Sequence, residues 1–303
     1  MSEQRTVDYA VADRVARITL NRPERGNGIV PELLRELVEC LERADLDPDV
    51  HVILLSGAGG GFCGGYDLVE SAEGAGIGEA GGDLKGTPLD PMVIALNHVP
   101  GRTWDPLLDY AFMSRNVRAF MRIFECGKPV VCKVHGFCVA GGTDMALCAD
   151  LLVIAEDAKI GYPPARVWGS PTTALWAQRV GAQRAKRLLF TGDSLSGREA
   201  AEWGLAIEAP PAAELDERTE ILVRRIARLP LNQLRMMKLL VNNTLEQQGL
   251  RATQMLGTVL DGVARHTAEG HAFQMRAAEA GFRTAVGERD EPFGDAGLSA
   301  FKG

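Results

Sequence analysis

Lys128-Pro-Val-Val-Cys-Lys-Val-His-Gly-Phe-Cys-Val-Ala-Gly-Gly-Thr-Asp144 decides how the chain is read. The apolar run 129–134 predicts a buried strand, residues 136–140 a turn, and residues 143–149 a helix. Backbone N–H groups near Gly141 and Gly142 then lie free at the positive end of a helix dipole. Asp144 falls in the first helical turn, where a carboxylate serves either as local cap and dipole partner or as a reactive group.

A second passage has the same design. The apolar strand Val50-His-Val-Ile-Leu-Leu-Ser56 runs into Gly57-Ala-Gly-Gly-Gly-Phe-Cys-Gly-Gly-Tyr-Asp-Leu68. Glycines lower the steric cost of a sharp corner and let a ligand approach the backbone. Two such corners can aim two N–H donors at one oxygen, an oxyanion hole whose donors are typically each associated with ~10²–10³ in rate. A thioester carbonyl becoming an enolate or a tetrahedral adduct suits that arrangement.

With both corners in place the chain resembles the crotonase, or enoyl-CoA hydratase/isomerase, superfamily. Val15-Ala-Arg-Ile-Thr-Leu-Asn-Arg-Pro-Glu-Arg-Gly-Asn27 is similar to the family's opening strand and the loop that meets coenzyme A. Gly61 to Leu68 resembles the first oxyanion motif, which usually ends Ala-Gly-Ala-Asp-Leu, and Lys128 to Asp150 resembles the second. Segments 155–161 and 185–205 also match in order. The resemblance implies a spiral of repeated ββα units, an α/β fold, with a catalytic core over 1–211 and a helical oligomerisation region over 212–303.

Carried over by position, it implies that the N–H groups of Tyr66 and Gly141 hold the thioester oxygen and that Asp144 is the catalytic acid/base. Arg25, Gly65, Asp67 and Leu68 fall at contacts to the nucleotide or pantetheine of coenzyme A. Gly136, Gly142, Tyr162 and Trp168 complete the implied substrate contacts. Tyr66 stands where the family usually has alanine, so its ring either lines the pocket or packs as an ordinary aromatic.

Departures from the pattern matter as much. Hydratases of the family use two glutamates. The first position is Asp144, shorter by one methylene, roughly 1.5 Å; the second falls on Pro164 or Ala165, with no carboxylate. One carboxylate can still serve both proton transfers in a concerted addition. In the loop Tyr162-Pro-Pro-Ala-Arg-Val-Trp-Gly-Ser-Pro-Thr-Thr173, Tyr162, Arg166 and Thr172 are candidate proton donors, whereas the prolines and Trp168 suit an acyl-pocket wall. A catalytic Arg166 predicts that its removal alters turnover more than folding.

The chain has 303 residues, 46% hydrophobic and 24% charged, enough for a substantial core, and a net charge of −7 that gives no sign of nucleic-acid binding. Residues 1–17 carry no basic, apolar leader, and no apolar run nears bilayer length, so the expectation is a cytoplasmic protein with no membrane partner. Six cysteines lie in apolar patterns without a CxxC pair and read as buried free thiols. Five scattered histidines, with His135 expected as a hydrogen-bonded core residue, show no metal-site spacing.

Residues 7–20 predict a hairpin turning at Ala12-Asp13-Arg14. Residues 31–44 predict an amphipathic helix with Pro31 in its first turn and Leu33, Leu34, Leu37, Val38 and Leu41 on one face. Strands near Val52, Val131 and Leu152 alternate with helices, as in a layered α/β fold. Residues 70–104 look longer than the family pattern by about thirty residues, a length that is commonly functional or disordered; a lid over the acyl pocket is the expectation there. Asp105-Pro106 opens a helix towards Phe124. Helices are predicted over 214–229, 231–245 and 250–268. The resemblance places Phe273 and Arg276 near a neighbouring subunit's nucleotide and implies a homotrimer or dimer of trimers.

The expected activity is that of an enoyl-CoA hydratase-like lyase acting on an acyl-CoA thioester, coenzyme A arriving as part of the substrate and no separate cofactor required. Isomerisation of the double bond, which one carboxylate can perform, and non-catalytic acyl-CoA binding are the alternatives.

Overall fold

The computed structural model describes residues 5–67 and 86–294; Leu68 and most of the expected lid, including residues 71–83, lie outside them. Strands β1 (Val7–Ala12) and β2 (Val15–Leu20) form the expected hairpin, in register Val7 to Leu20. Its two-residue turn places Asp13 at φ 53° and Arg14 at φ 65°, the left-handed pair that matches the twist of the strands. β2 continues in parallel to β3 (Val52–Gly57), β4 (Val130–Val134) and β6 (Leu151–Ile154), giving the sheet order β1-β2-β3-β4-β6. The run Val52–Ser56 is buried throughout, as a parallel strand covered on both faces requires.

A smaller sheet corrects one expectation. Residues 136–140 are not a turn throughout. Gly136, at φ +58°, turns the chain, and β5 (Phe137–Val139) then pairs in parallel with β7 (Lys159–Gly161), which pairs with β8 (Ser194–Ser196). The helix that follows is Gly141–Ala146, displaced towards the N-terminus from the predicted 143–149. The partner strand is twenty residues away, so no local propensity could reveal the pairing.

Helix α1 (Pro31–Leu46) buries Leu33, Leu34, Leu37 and Leu41 as predicted, and also Glu36, whose carboxylate accepts the N–H groups of Thr6 and Val7 at 2.8 and 3.0 Å. α2 (Pro91–Asn97) and α3 (Pro106–Glu125) follow, α3 capped by the Asp105 side chain. After α4 (Gly141–Ala146) come α5 (Trp176–Val180), α6 (Ala182–Thr191) and α7 (Gly197–Glu202).

The last third of the described chain is helical: α8 (Leu215–Ala227), α9 (Leu231–Gln247), α10 (Leu250–Arg265), α11 (Ala268–Ala280) and α12 (Phe282–Asp290). α10 stops short of residue 268 because Thr267 caps a new helix, its hydroxyl accepting the Gly270 N–H at 3.0 Å. α9 is stapled to the core through buried Lys238, which reaches the carbonyls of Ile123 and Lys128 and lies 2.8 Å from Asp150. α10 packs along α3, so the helical region walls the same interior as the sheet.

Candidate active site

The two glycine corners are brought together by strand register. Cys63 bridges Cys138 in parallel, and the same offset of 75 residues (138 − 63 = 141 − 66) sets Tyr66 beside Gly141. A Cβ placed on Gly141 would lie 2.9 Å from the Tyr66 ring, and one on Gly65 would lie 2.8 Å from the Ala140 Cβ. Ile29 fixes the first corner: its N–H bonds Gly65 O at 2.8 Å and its carbonyl accepts the Asp67 N–H at 3.1 Å. That parallel bridge turns the intervening Tyr66 N–H away from Ile29. Ala140, at φ 54° and ψ −128°, fixes the second, so Gly141 begins α4 with a free N–H. Neither the Tyr66 nor the Gly141 N–H donates a hydrogen bond among the described residues.

Tyr66 and Gly141 line a cavity of about 1160 Å³, which is large enough for a substantial acyl group. Ile29, Val139, Phe112, Met113, Pro164 and Phe273 give it apolar walls. The described end of the long insertion borders it through Leu89, Ile94, Ala95 and His98.

Asp144 is the main departure from expectation. It does not line the cavity and is 1% exposed. Oδ1 accepts the N–H and hydroxyl of Thr173 at 3.1 and 2.7 Å, and Oδ2 the N–H and hydroxyl of Thr172 at 3.3 Å each. Burial outweighs these four bonds and pushes the carboxyl up to about 6. Thr172 does line the cavity, so the carboxylate sits one hydroxyl behind the wall.

Among the other expected positions, Tyr162 and Trp168 line the cavity, whereas Arg25, Gly65, Asp67, Gly136 and Gly142 do not. Asp67 accepts Arg25 Nη2 at 2.8 Å and Arg22 Nη2 at 3.1 Å, tying the coenzyme-loop arginines to the first corner. Gly136 and Gly142 have steric roles: added Cβ atoms would meet Gly60 O at 1.9 Å and Cys63 O at 2.4 Å. Tyr162 donates its hydroxyl to Ser170 O at 2.7 Å, and burial drives its pKa well up.

Arg166 is not at the cavity. Its side chain, 2% exposed, donates to Thr191 O at 2.9 Å and to Asp290 at 3.0 Å, and also meets Asp193, so it staples the loop to α12. Phe273 packs on Trp168 of its own chain at 5.4 Å, and Arg276 pairs with Glu288 at 2.6 and 2.8 Å. The six thiols are free and buried, and burial raises Cys63 to about 12. His135 is only half-buried, just past β4, and its Nε2 meets Gly59 O at 2.8 Å.

Sequence reasoning missed the wall supplied by α10 and α11. Asp261, Arg265 and Gln274 line the same cavity as the corners. Arg265 Nη2 lies 2.9 Å from Asp261 Oδ2, and Asp261 Oδ1 accepts the Ser170 N–H at 3.2 Å. Asp261 and Arg265 are four residues apart on one helix, a spacing visible in sequence, but such pairs ordinarily mark a solvated face.

Asp109, buried under His98, accepts from Asn97 Nδ2 at 3.1 Å, Trp104 Nε1 at 2.7 Å and His98 Nε2 at 3.0 Å. His266 completes a group whose ligand atoms lie within 4.8 Å of one another. Its ring nitrogens already meet the carbonyls of Gly262 and Asn97 at 2.8 and 3.0 Å, so a metal ion would have to displace these bonds. The cluster fastens α2 to α3 and α10 beside the cavity.

The chain matches the family described as enoyl-CoA hydratase/isomerase over residues 11–89 and 107–275. It is 30% identical over 241 residues to 1,2-epoxyphenylacetyl-CoA isomerase of Escherichia coli strain K12, covering 77% of this chain and 82% of that protein. Hydroxycinnamoyl-CoA hydratase-lyase of Pseudomonas fluorescens is 30% identical over 226 residues, 73% of this chain and 72% of that one. A crystal structure of an enoyl-CoA hydratase from Mycobacterium smegmatis superposes with TM-score 0.91 at 57% identity, covering 99% and 98% of the two chains.

Proposed function

The chain belongs to the enoyl-CoA hydratase/isomerase family, and from that premise we propose that it adds water across the double bond of an enoyl-coenzyme A thioester. The observation that carries this reading is the pair of unpartnered N–H groups, Tyr66 and Gly141, side by side on the cavity wall. Both aim at charge that develops on the thioester oxygen as the α carbon gains enolate character. Coenzyme A arrives as part of the substrate. Arg25, whose side chain is 40% exposed beside Asp67, and the exposed Arg283 at the cavity offer cations to its phosphates.

Asp144 acts through Thr172. Water gives a proton to the Thr172 hydroxyl as that hydroxyl passes its own proton to the carboxylate; the hydroxide joins the β carbon, and the same relay returns a proton to the α carbon. Atoms balance with one carboxylate. Pro164 and Ala165, the two positions at which a second carboxylate would fall, supply none, which favours one rival: the relay moves a proton between carbons and isomerises the double bond.

The first experiment incubates the protein and Asp144→Asn with 2-enoyl- and 3-enoyl-CoA thioesters of short, long and ring-bearing acyl groups, with products identified by mass. A water adduct lost in the variant supports the hydratase; a shifted double bond replaces it with the isomerase. Tight binding without turnover overturns both.

Self-association belongs to the same proposal. α9 and α10 expose Met236, Leu239, Leu240, Met255, Leu256 and Leu260, each 45–68% accessible, an apolar area suited to a trimer or a pair of trimers. No helix among the described residues is long and apolar enough to cross a membrane. Six free thiols fit a reducing compartment, and we assign the protein to the cytoplasm.

A further inference from the structure

The acyl end of the cavity carries more polarity than a hydrocarbon chain can use. Arg265 lines it with a side chain only 12% exposed. Its Nε–H is buried without a hydrogen bond among the described residues, while Nη2 is ion-paired with Asp261 at 2.9 Å. Trp168 Nε1 and Gln274 Oε1, both lining the same cavity, are likewise buried without a hydrogen bond among the described residues. Leaving buried polar groups unpaired is destabilising, so several in one cavity mark a place where a ligand supplies the partners.

Tyr66 belongs to the same cavity lining as Asp261 and Arg265. Its N–H stands at the proposed oxyanion corner, and its buried hydroxyl, beside Asn116, is subject to the charges of Asp144, Asp261 and Arg265. The cavity lining is also aromatic: Trp168 meets Phe273 at 5.4 Å and Phe282 at 5.7 Å, and Phe112 lines it as well. Trp168 holds φ 76°, a conformation costly for an indole residue, which fits a ring aimed for recognition.

We propose that this protein selects aryl acyl groups bearing a hydroxyl at the far end of the ring, the hydroxyl accepting from Arg265 and donating to Gln274. Arg265 offers a donor and Gln274 an acceptor on the lining of one cavity, so a hydroxyl suits both, and Asp261 beside Arg265 balances the cation and disfavours a carboxylate in its place. The inference rests on the acyl-CoA reading and names the acyl class.

Its test uses saturated thioesters, which cannot be hydrated, so it is independent of turnover. Affinities of 3-(4-hydroxyphenyl)propanoyl-CoA and 3-phenylpropanoyl-CoA are compared by calorimetry for the full chain, Arg265→Met and Gln274→Leu, with folding checked by circular dichroism. The hydroxylated ligand binds at least tenfold more tightly to the unaltered protein, and either substitution narrows the preference below threefold. Equal affinities, a preference that survives in folded Arg265→Met, or tighter binding of the 4-carboxyphenyl analogue overturns it. Should Arg265→Met not fold, Gln274→Leu decides by the same criterion. Failure of every enoyl-CoA to react would sink the hydratase reading alone.

Discussion

The Thr172 hydroxyl donates to Oδ2 of Asp144 at 3.3 Å, and Thr172, not Asp144, faces the cavity. A buried carboxylate is thereby kept out of contact with substrate but connected to it through one exchangeable proton. The partner threonine, Thr173, holds the other oxygen at 2.7 Å and fixes the carboxylate in place.

Thr172→Val preserves shape and removes the hydroxyl. If the relay operates, kcat falls by about 10²-fold or more, the scale of a lost acid/base group, with KM changed far less. Steady-state kinetics beside a melting curve check this; an unaltered kcat would exclude the relay.

Asp144 gives the activity a pH signature. As the base, it must be ionised, so kcat/KM rises with pH through about 6 and levels above it. Stability moves the other way. The folded pKa of about 6 exceeds the ordinary 3.8, so the native state holds the extra proton between those values, and stability falls as pH rises through that window. Asp144→Asn removes both dependences, measured by a pH–rate profile and by urea unfolding at pH 4 and 7.

Gly65→Ala displaces the first oxyanion donor. Gly65 holds φ +98°, and a Cβ there lies 2.8 Å from that of Ala140. The shift of the Tyr66 N–H lowers kcat by ~10²-fold, in line with loss of one donor. A variant that folds and turns over at the original rate would place the thioester oxygen elsewhere.

Arg166→Ala tests the staple. Breaking its buried pairing to Asp193 and Asp290 costs about 3–5 kcal/mol of stability. Activity per folded molecule stays near normal, the opposite of what a catalytic Arg166 would give. Denaturant melts and active-site-normalised kcat separate the two.

Leu240→Glu, on the exposed face of α9, places a charge in the proposed contact between copies. Sedimentation velocity is expected to shift from an oligomer to a monomer; a monomeric unaltered protein would remove the proposal.

Sequence determined what local patterning can encode. The hairpin turn, the apolar face of α1, the Asp105 cap and the strands near Val52, Val131 and Leu152 were legible because propensity and period act over a few residues. The motifs from Gly61 to Asp67 and from Lys128 to Asp144 pointed to the family and to the pair of corners. Tertiary structure decided the rest. β5 needed β7 to exist, and Tyr66 met Gly141 only through the register of Cys63 on Cys138. Asp144 was withdrawn behind Thr172 by bonds spanning 28 and 29 residues. Asp261 and Arg265, an ordinary i,i+4 pair in sequence, faced the cavity because α10 packs along α3. Which face of a helix is buried, and which carboxylate meets substrate, depends on partners distant in the chain, and no local pattern carries that information.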